Sequence, residues 1–163
     1  MPQNALHPTK NTLPETIRLQ AVTLLNQNLA AAVDLKAQAK QAHWNVKGPD
    51  FIALHELFDK VADTADEFID VMAERITALG GTAEGTVQVA AQRSTLPPYP
   101  LHIQAGRDHV DALSSALAAF GTTVRGAIDK ATAFGDADTA DLFTGVSRDA
   151  DKYLWFLEAH LQG

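Results

Sequence analysis

His55 and Asp59 stand four residues apart, as do Asp70 and Glu74. On a helix that spacing projects both side chains from one face, so each pair makes a two-point clamp for a metal ion. Taken alone, either pair reads more readily as a solvated helix face or a helix-surface hydrogen bond, since acidic residues at this spacing are common there. Together they say more. All four fall within an arc of about 100°, yet Asp59 and Asp70 are eleven residues apart, roughly 16 Å along the helix axis. One helix cannot close both pairs on one ion. The positions are also mirror-related, 55 with 74 and 59 with 70, about a point between Thr64 and Ala65. An antiparallel copy of the helix, placed across a two-fold axis at that point, brings His55 and Asp59 of one chain against Asp70 and Glu74 of the other. Two equivalent sites roughly 22 Å apart result. The small residues Ala62, Thr64 and Ala65 are expected where the two backbones approach.

His43 is the natural fifth ligand, because the Gly48-Pro49 turn folds the preceding helix back towards the start of this one. Standing alone beside Trp44, it would read more readily as a core histidine donating to a carbonyl. Two imidazoles and three carboxylates form an oxygen-rich set suited to iron, and zinc fits the same ligands. The sequence has no Glu-x-x-His pair, the signature of a di-iron centre built inside a single bundle. A site shared between subunits is what these residues permit.

The elements that must carry these residues are helical, since no segment alternates with period two for long and Gly and Pro cluster at a few breaks. The first helix is expected to start at Thr12-Leu13-Pro14-Glu15, a capping-box pattern with Pro in the first turn, and to run to Gly48-Pro49. Leu19, Val22, Leu25, Leu29, Ala32 and Val33 trace its core stripe, with Lys36 at the polar end. The second runs from about Asp50 to Leu79 and stops at Gly80-Gly81. The stretch from 82 to 101 is too long for a tight hairpin, and a short helix over Glu84 to Gln92 fits within it. Such a crossover lets the second and third helices lie parallel, as in ferritin-like bundles. The third helix, about Leu101 to Ala133, contains Gly106, Gly121 and Gly126, which suggest close helix approach. The fourth, about Asp138 to His160, is capped by Asp136 or Asp138. The expectation is an all-α four-helix bundle over residues 12–163 with a short crossover helix, preceded by a flexible arm over residues 1–11.

Composition narrows the function classes. At 163 residues and 46% hydrophobic, the chain fits one domain with an ordinary core. It has no cysteine, so neither a disulfide framework nor a thiolate metal site is available. No apolar run approaches the roughly 18 residues of a membrane span, and the first fifteen residues lack a secretory signal, so a cytoplasmic protein is expected. A net charge of −7 opposes sequence-independent attraction to nucleic acid.

In order and spacing, His43-Trp44-Asn45-Val46, Gly48, Phe51, His55, Phe58-Asp59, Asp70 and Ala73-Glu74-Arg75 resemble the Dps mini-ferritins. The resemblance extends through Leu79-Gly80-Gly81 to Asp138-Thr139-Ala140-Asp141, Ser147-Arg148-Asp149, Lys152, Trp155-Phe156 and Glu158. It implies a ferritin-like fold and a homododecamer built from two-fold dimers. It further implies that the shell binds Fe2+, oxidises it preferentially with hydrogen peroxide (or O2) and stores Fe3+ mineral. Carried over, Asp70 and Glu74 resemble the principal iron ligands from one subunit, with His43 completing the site from its partner. His55 and Asp59 would support a second, weaker iron or hold a bridging water. Trp44 resembles a family aromatic close to iron that can intercept an oxidising equivalent, and reads somewhat more readily as an apolar side chain at the dimer seam. Trp155 is read as structural. Asp136, Asp138 and Asp141 resemble acidic residues lining the pores through which iron enters, and helix capping is the competing account.

Some members of the family coat DNA, commonly through a terminal arm rich in Lys and Arg. Here Met1 to Glu15 offers only Lys10 as a fixed cation and Gly163 closes the sequence without a basic tail. Weak or absent DNA binding at neutral pH is therefore expected. His102, His109 and His160 form no ligand spacing and are read as core or surface residues.

Overall fold

In the computed structural model, which describes residues 6–162, α1 (Glu15–Asn45) and α2 (Phe51–Ala78) form one antiparallel hairpin. α4 (Gly106–Phe134) and α5 (Ala137–Glu158) form a second, and α3 (Val87–Arg93) lies in the crossover between them. α1 packs on α2, α3 and α4, while α2 also meets α5. The architecture is all-α, a ferritin-like four-helix bundle with one long crossover. The third and fourth helices of the sequence reading are thus α4 and α5.

Hydrogen bonds at the two ends of the bundle fix the direction of each helix. The Lys47 N–H donates to the Gln104 carbonyl at 3.0 Å, so α4 starts beside the α1–α2 turn. The crossover has therefore travelled the length of the bundle, and α4 runs parallel to α2. Along the way α1 holds it down. The Asn26 amide donates to Thr82 O and accepts from Glu84 N, Asp34 accepts from the Ser94 hydroxyl, and Gln38 donates to Pro97 O. α1 is consequently covered on several sides, and its buried face is wider than the expected stripe. Leu25, Leu29 and Ala32 are buried, but so are Leu24, Ala31, Ala39 and the polar Asn26, Asn28 and Gln38. Leu19, Val22, Val33 and Lys36 are only partly covered.

Several boundaries differ from the sequence reading. The Thr12 capping box does not form: Pro14 occupies the N-cap of α1 with no side-chain cap. Instead, Asn11 Oδ1 accepts from Leu13 N, which sets the entry turn. α3 starts at Val87, because Asn26 holds residues 82–84 extended and Thr86 caps the helix by accepting from Val89 N. α4 starts at Gly106 because residues 104–105 are engaged by Lys47. Gly106 therefore sits at the first helical position and lets α4 close on Leu54, whose Cδ1 lies 2.5 Å from where a Cβ would stand. The close approach expected at Gly121 and Gly126 is absent. A Cβ at Gly121 would make ordinary contacts, and one at Gly126 would meet nothing within 4 Å.

The end of α2 follows the expected signal. Gly80 adopts φ +86, its N–H bonds to Thr77 O, and Gly81 N bonds to Ile76 O. This is the Schellman arrangement that a left-handed glycine permits. The arm reaches this turn: His7 N donates to Gly80 O at 2.7 Å, and Arg18 Nη1 donates to Leu79 O at 3.0 Å. Residues 1–5 of the expected arm lie outside the described residues. Among the described residues no helix is long and apolar enough to cross a membrane.

Candidate metal centre

The turn after Asn45 reverses the chain so that the last turn of α1 lies against the first turns of α2. His43 and His55 meet there with rings stacked, centroids 3.7 Å apart and planes inclined by 22°. Each Nδ1 contacts the other residue's main-chain carbonyl, His43 to His55 O at 2.8 Å and His55 to His43 O at 2.9 Å. A carbonyl can only accept, so in both rings Nδ1 carries the hydrogen. In the neutral rings this leaves the Nε2 lone pairs for a cation, the arrangement by which carbonyl partners orient metal-binding imidazoles. The reading of His43 as a carbonyl-donating histidine and the reading of it as a ligand are thus compatible.

Asp59 lies one turn beyond His55, with Oδ1 3.8 Å from His43 Nδ1. The same oxygen accepts from Lys40 Nζ at 2.6 Å. That hydrogen bond holds the Asp59 carboxyl below the usual carboxylate range, aided by the nearby histidines and opposed by burial. Lys40 was not among the residues singled out from sequence, although its place one turn before His43 put it on the same face. Lys36 repeats the pairing with Asp66, also at 2.6 Å.

Asp70 and Glu74 lie near the other end of α2 and are exposed. Among the described residues neither carboxylate has a hydrogen bond or ion pair, and no group of three His, Asp or Glu side chains converges on one metal position. One chain thus brings His43, His55 and Asp59 to one end of α2 and leaves Asp70 and Glu74 at the other. The small residues expected at the midpoint lie elsewhere. Ala62 and Ala65 are 1% and 0% exposed, packed into the bundle core with Leu54, Phe58, Met72 and Ile76 of the same helix. Thr64 is half-buried, and Lys60, Asp63 and Glu67 line the accessible surface.

Trp44 is 66% exposed beside His43, and Trp155, read as structural, is 63% exposed on α5. Of the three acidic residues near the start of α5, Asp136 is withdrawn from any pore-lining surface in this chain. It is 1% exposed, caps α5 by accepting from Thr139 N, and accepts two hydrogen bonds from Arg75 Nη2 at 2.8 and 3.1 Å. Arg75, next to Glu74, had gone unassigned. Asp138 and Asp141 remain exposed. His109 is a core residue whose Nδ1 meets the Tyr99 hydroxyl at 2.6 Å, whereas His102 and His160 are exposed. A groove of about 1020 Å³ runs between α1, α4 and the crossover, past Thr23, Asn26, Thr122 and Gly126, and contains none of the candidate ligands.

Comparison with known proteins agrees with this fold. A family model described as a ferritin-like domain matches residues 22–163. The DNA protection during starvation protein of Agrobacterium fabrum is 47% identical over 156 residues, covering 96% of each chain. DpsC from Streptomyces coelicolor superposes with a TM-score of 0.93 at 30% identity, over 100% of this chain and 95% of that one. Dps from Microbacterium arborescens, solved in a high-iron form, gives 0.87 at 33% identity, over 98% of this chain and 100% of that one. With a ferritin-like fold and this degree of identity over nearly its whole length, the chain belongs to the Dps mini-ferritin family.

Proposed function

We propose that this protein is a ferroxidase and iron store. It binds Fe(II) at sites completed across a two-fold interface, oxidises it with hydrogen peroxide or O2, and keeps the ferric mineral inside a shell of twelve chains, in the cytoplasm. The observation that carries the reading is the division of the ligands: His43, His55 and Asp59 at one end of α2, Asp70 and Glu74 free and exposed at the other. The positions mirror one another about the Thr64–Ala65 midpoint. An antiparallel partner then sets an imidazole and carboxylate cluster against a carboxylate pair, with the surfaces of Lys60, Asp63 and Glu67 rather than Ala62 and Ala65 nearest the axis. The relative solved in a high-iron form supports iron as the substrate.

The residues divide the chemistry. Asp70 and Glu74 supply negative charge that favours the ferric over the ferrous ion and so drives oxidation. His43, with its Nδ1 hydrogen fixed by the His55 carbonyl, offers Nε2 from the partner subunit. His55 and Asp59 serve a second ion or a bridging water. Two ferrous ions each give one electron to one peroxide, whose O–O bond breaks to give two waters once two protons are taken up. No one-electron step is then left to release hydroxyl radical, which protects the cell from oxidative damage. Trp44, exposed beside His43, is placed to take up a stray oxidising equivalent, and Asp138 and Asp141 are placed to draw cations to a pore. DNA binding is weak or absent at neutral pH, since the chain is acidic and its arm is held at Gly80.

The test is stopped-flow absorbance after anaerobic loading of the metal-free protein with Fe(II) and addition of peroxide or air. The double substitution D70N/E74Q is expected to abolish rapid peroxide-dependent oxidation while circular dichroism stays helical. Unchanged kinetics in that variant would defeat the assignment.

A further inference from the structure

Two features of the groove between α1, α4 and the crossover are explained by neither the fold nor the metal centre. Asn28 lines the groove and is 5% exposed. Its amide donates to Leu24 O at 2.9 Å, while its buried Oδ1 accepts from nothing. A buried acceptor left without a partner costs stability, which a bound donor restores. Gly126 borders the same space. It stands inside α4, where glycine weakens a helix, and no close packing calls for it, since a Cβ there would meet nothing within 4 Å. What the missing side chain preserves is room, in a groove of about 1020 Å³ that is ample for a small ligand.

The lining sets what such a ligand must carry. Thr23, Thr122 and Thr123 donate their hydroxyl hydrogens to carbonyls of their own helices, Leu19 O at 2.9 Å, Ala118 O at 2.9 Å and Phe120 O at 2.8 Å. Together with Asn28 Oδ1 they leave oxygen lone pairs as what the groove offers. Val22 and Leu24 add aliphatic surface. Of the charged groups, Glu84 is engaged by Arg93, which leaves the exposed Lys130 as a cation in excess within a chain of net charge −7. Hydroxyl donors answer the acceptors, C–H faces answer the aliphatic side chains, and one anionic group answers the ammonium. A polyamine also donates but is repelled by Lys130. We propose that the α1–α4 groove is a binding site for a sugar phosphate, whose hydroxyls donate to Asn28 Oδ1 and the threonine oxygens and whose phosphate pairs with Lys130. The site is separate from the metal centre and does not depend on it.

Glucose 6-phosphate, glucose and inorganic phosphate are the probes, titrated calorimetrically into the full-length assembled protein at neutral pH, with saturation-transfer NMR on the same samples. Glucose 6-phosphate is expected to bind saturably and at least about tenfold more tightly than glucose or phosphate, each of which lacks one half of the contacts. Lys130→Met should bring glucose 6-phosphate down to the affinity of glucose, and Asn28→Leu should weaken both sugars alike. Gly126→Leu fills the groove without removing a polar group. It should abolish binding while helicity and iron oxidation stay at wild-type levels. Absence of saturable binding at millimolar glucose 6-phosphate would overturn the site, as would undiminished affinity in Gly126→Leu. Equal affinity for phosphate and glucose 6-phosphate would mark a bare cation and overturn the sugar assignment. Should Asn28→Leu disturb the core, seen as lost helicity or an altered gel-filtration volume, Gly126→Leu and Lys130→Met decide the matter alone.

Discussion

A carboxylate that is 1% exposed loses its hydration, and burial by itself would push the Asp136 pKa up. Acceptance from the Thr139 hydroxyl and N–H and from the Arg75 guanidinium outweighs that cost and holds it below its ordinary value. A carboxyl whose folded pKa is depressed contributes stability that is complete above its unfolded value, near 3.9, and lost as pH falls through the folded value. Asp136→Ala leaves the Arg75 charge, itself mostly covered, without its main partner. The expected loss is about 3–5 kcal/mol at neutral pH, checked by urea denaturation at fixed protein concentration. The difference between wild type and variant should shrink as pH falls below the unfolded value towards the depressed folded one. Which of Asp136, Asp138 and Asp141 does this work was not legible from spacing, because the deciding partner is Arg75, 61 residues away. The candidate metal-binding pairs were more legible as a pattern, since two side chains at four-residue spacing on one helix are local to it. Lys40 stayed hidden because its significance lies in Asp59, on a different helix.

At the scale of elements, the helices and the crossover could be read because Gly and Pro mark their ends, as at Gly48-Pro49 and Gly80-Gly81. Ends set by distant hydrogen bonds could not: the α3 start depends on Asn26, and the α4 start on Lys47 meeting Gln104. The glycines of α4 show the same division, since a glycine in a helical pattern does not reveal whether another element lies over it. A Cβ at position 106 would stand 2.5 Å from Leu54 Cδ1, in the turn that carries His55, and Leu54 is only 3% exposed. Gly106→Ala is therefore expected to cost about 1–3 kcal/mol through overpacking. Position 126 is helical, and a Cβ there has nothing within 4 Å. Gly126→Ala should stabilise by about 0.5–1 kcal/mol, through lower unfolded-chain entropy and better helix propensity. Thermal melts of the two variants should move in opposite directions, and a shared direction would show that helix propensity or packing alone governs both.

At the scale of the whole molecule, net charge and the path of the arm bear on the same question, whether this family member clings to DNA. Phosphate contacts by Lys and Arg supply nearly all sequence-independent affinity. A chain of net charge −7, repeated around the proposed shell, sets a repulsive field against that attraction, felt over a Debye length of roughly 8 Å at physiological salt. An arm reaching past that distance could still bind if it were basic and free. Here its first fifteen residues hold one fixed cation, Lys10, and the backbone is tied down at His7 by Gly80 O. Releasing the tether separates the two causes. A side chain at position 80 would place its Cβ 2.6 Å from His7 O, and φ +86 disfavours any Cβ there, so Gly80→Ala should loosen the arm. Gel-shift assays at pH 7.5 and low salt are expected to show no retained DNA with either the wild type or Gly80→Ala, because loosening the arm adds no charge. Adding three lysines to the arm of Gly80→Ala should create binding that falls steeply with salt, while the same lysines on the tethered arm should bind more weakly. Tight, salt-resistant binding by the wild type would mean that a local basic surface, rather than net charge or the arm, governs contact with DNA.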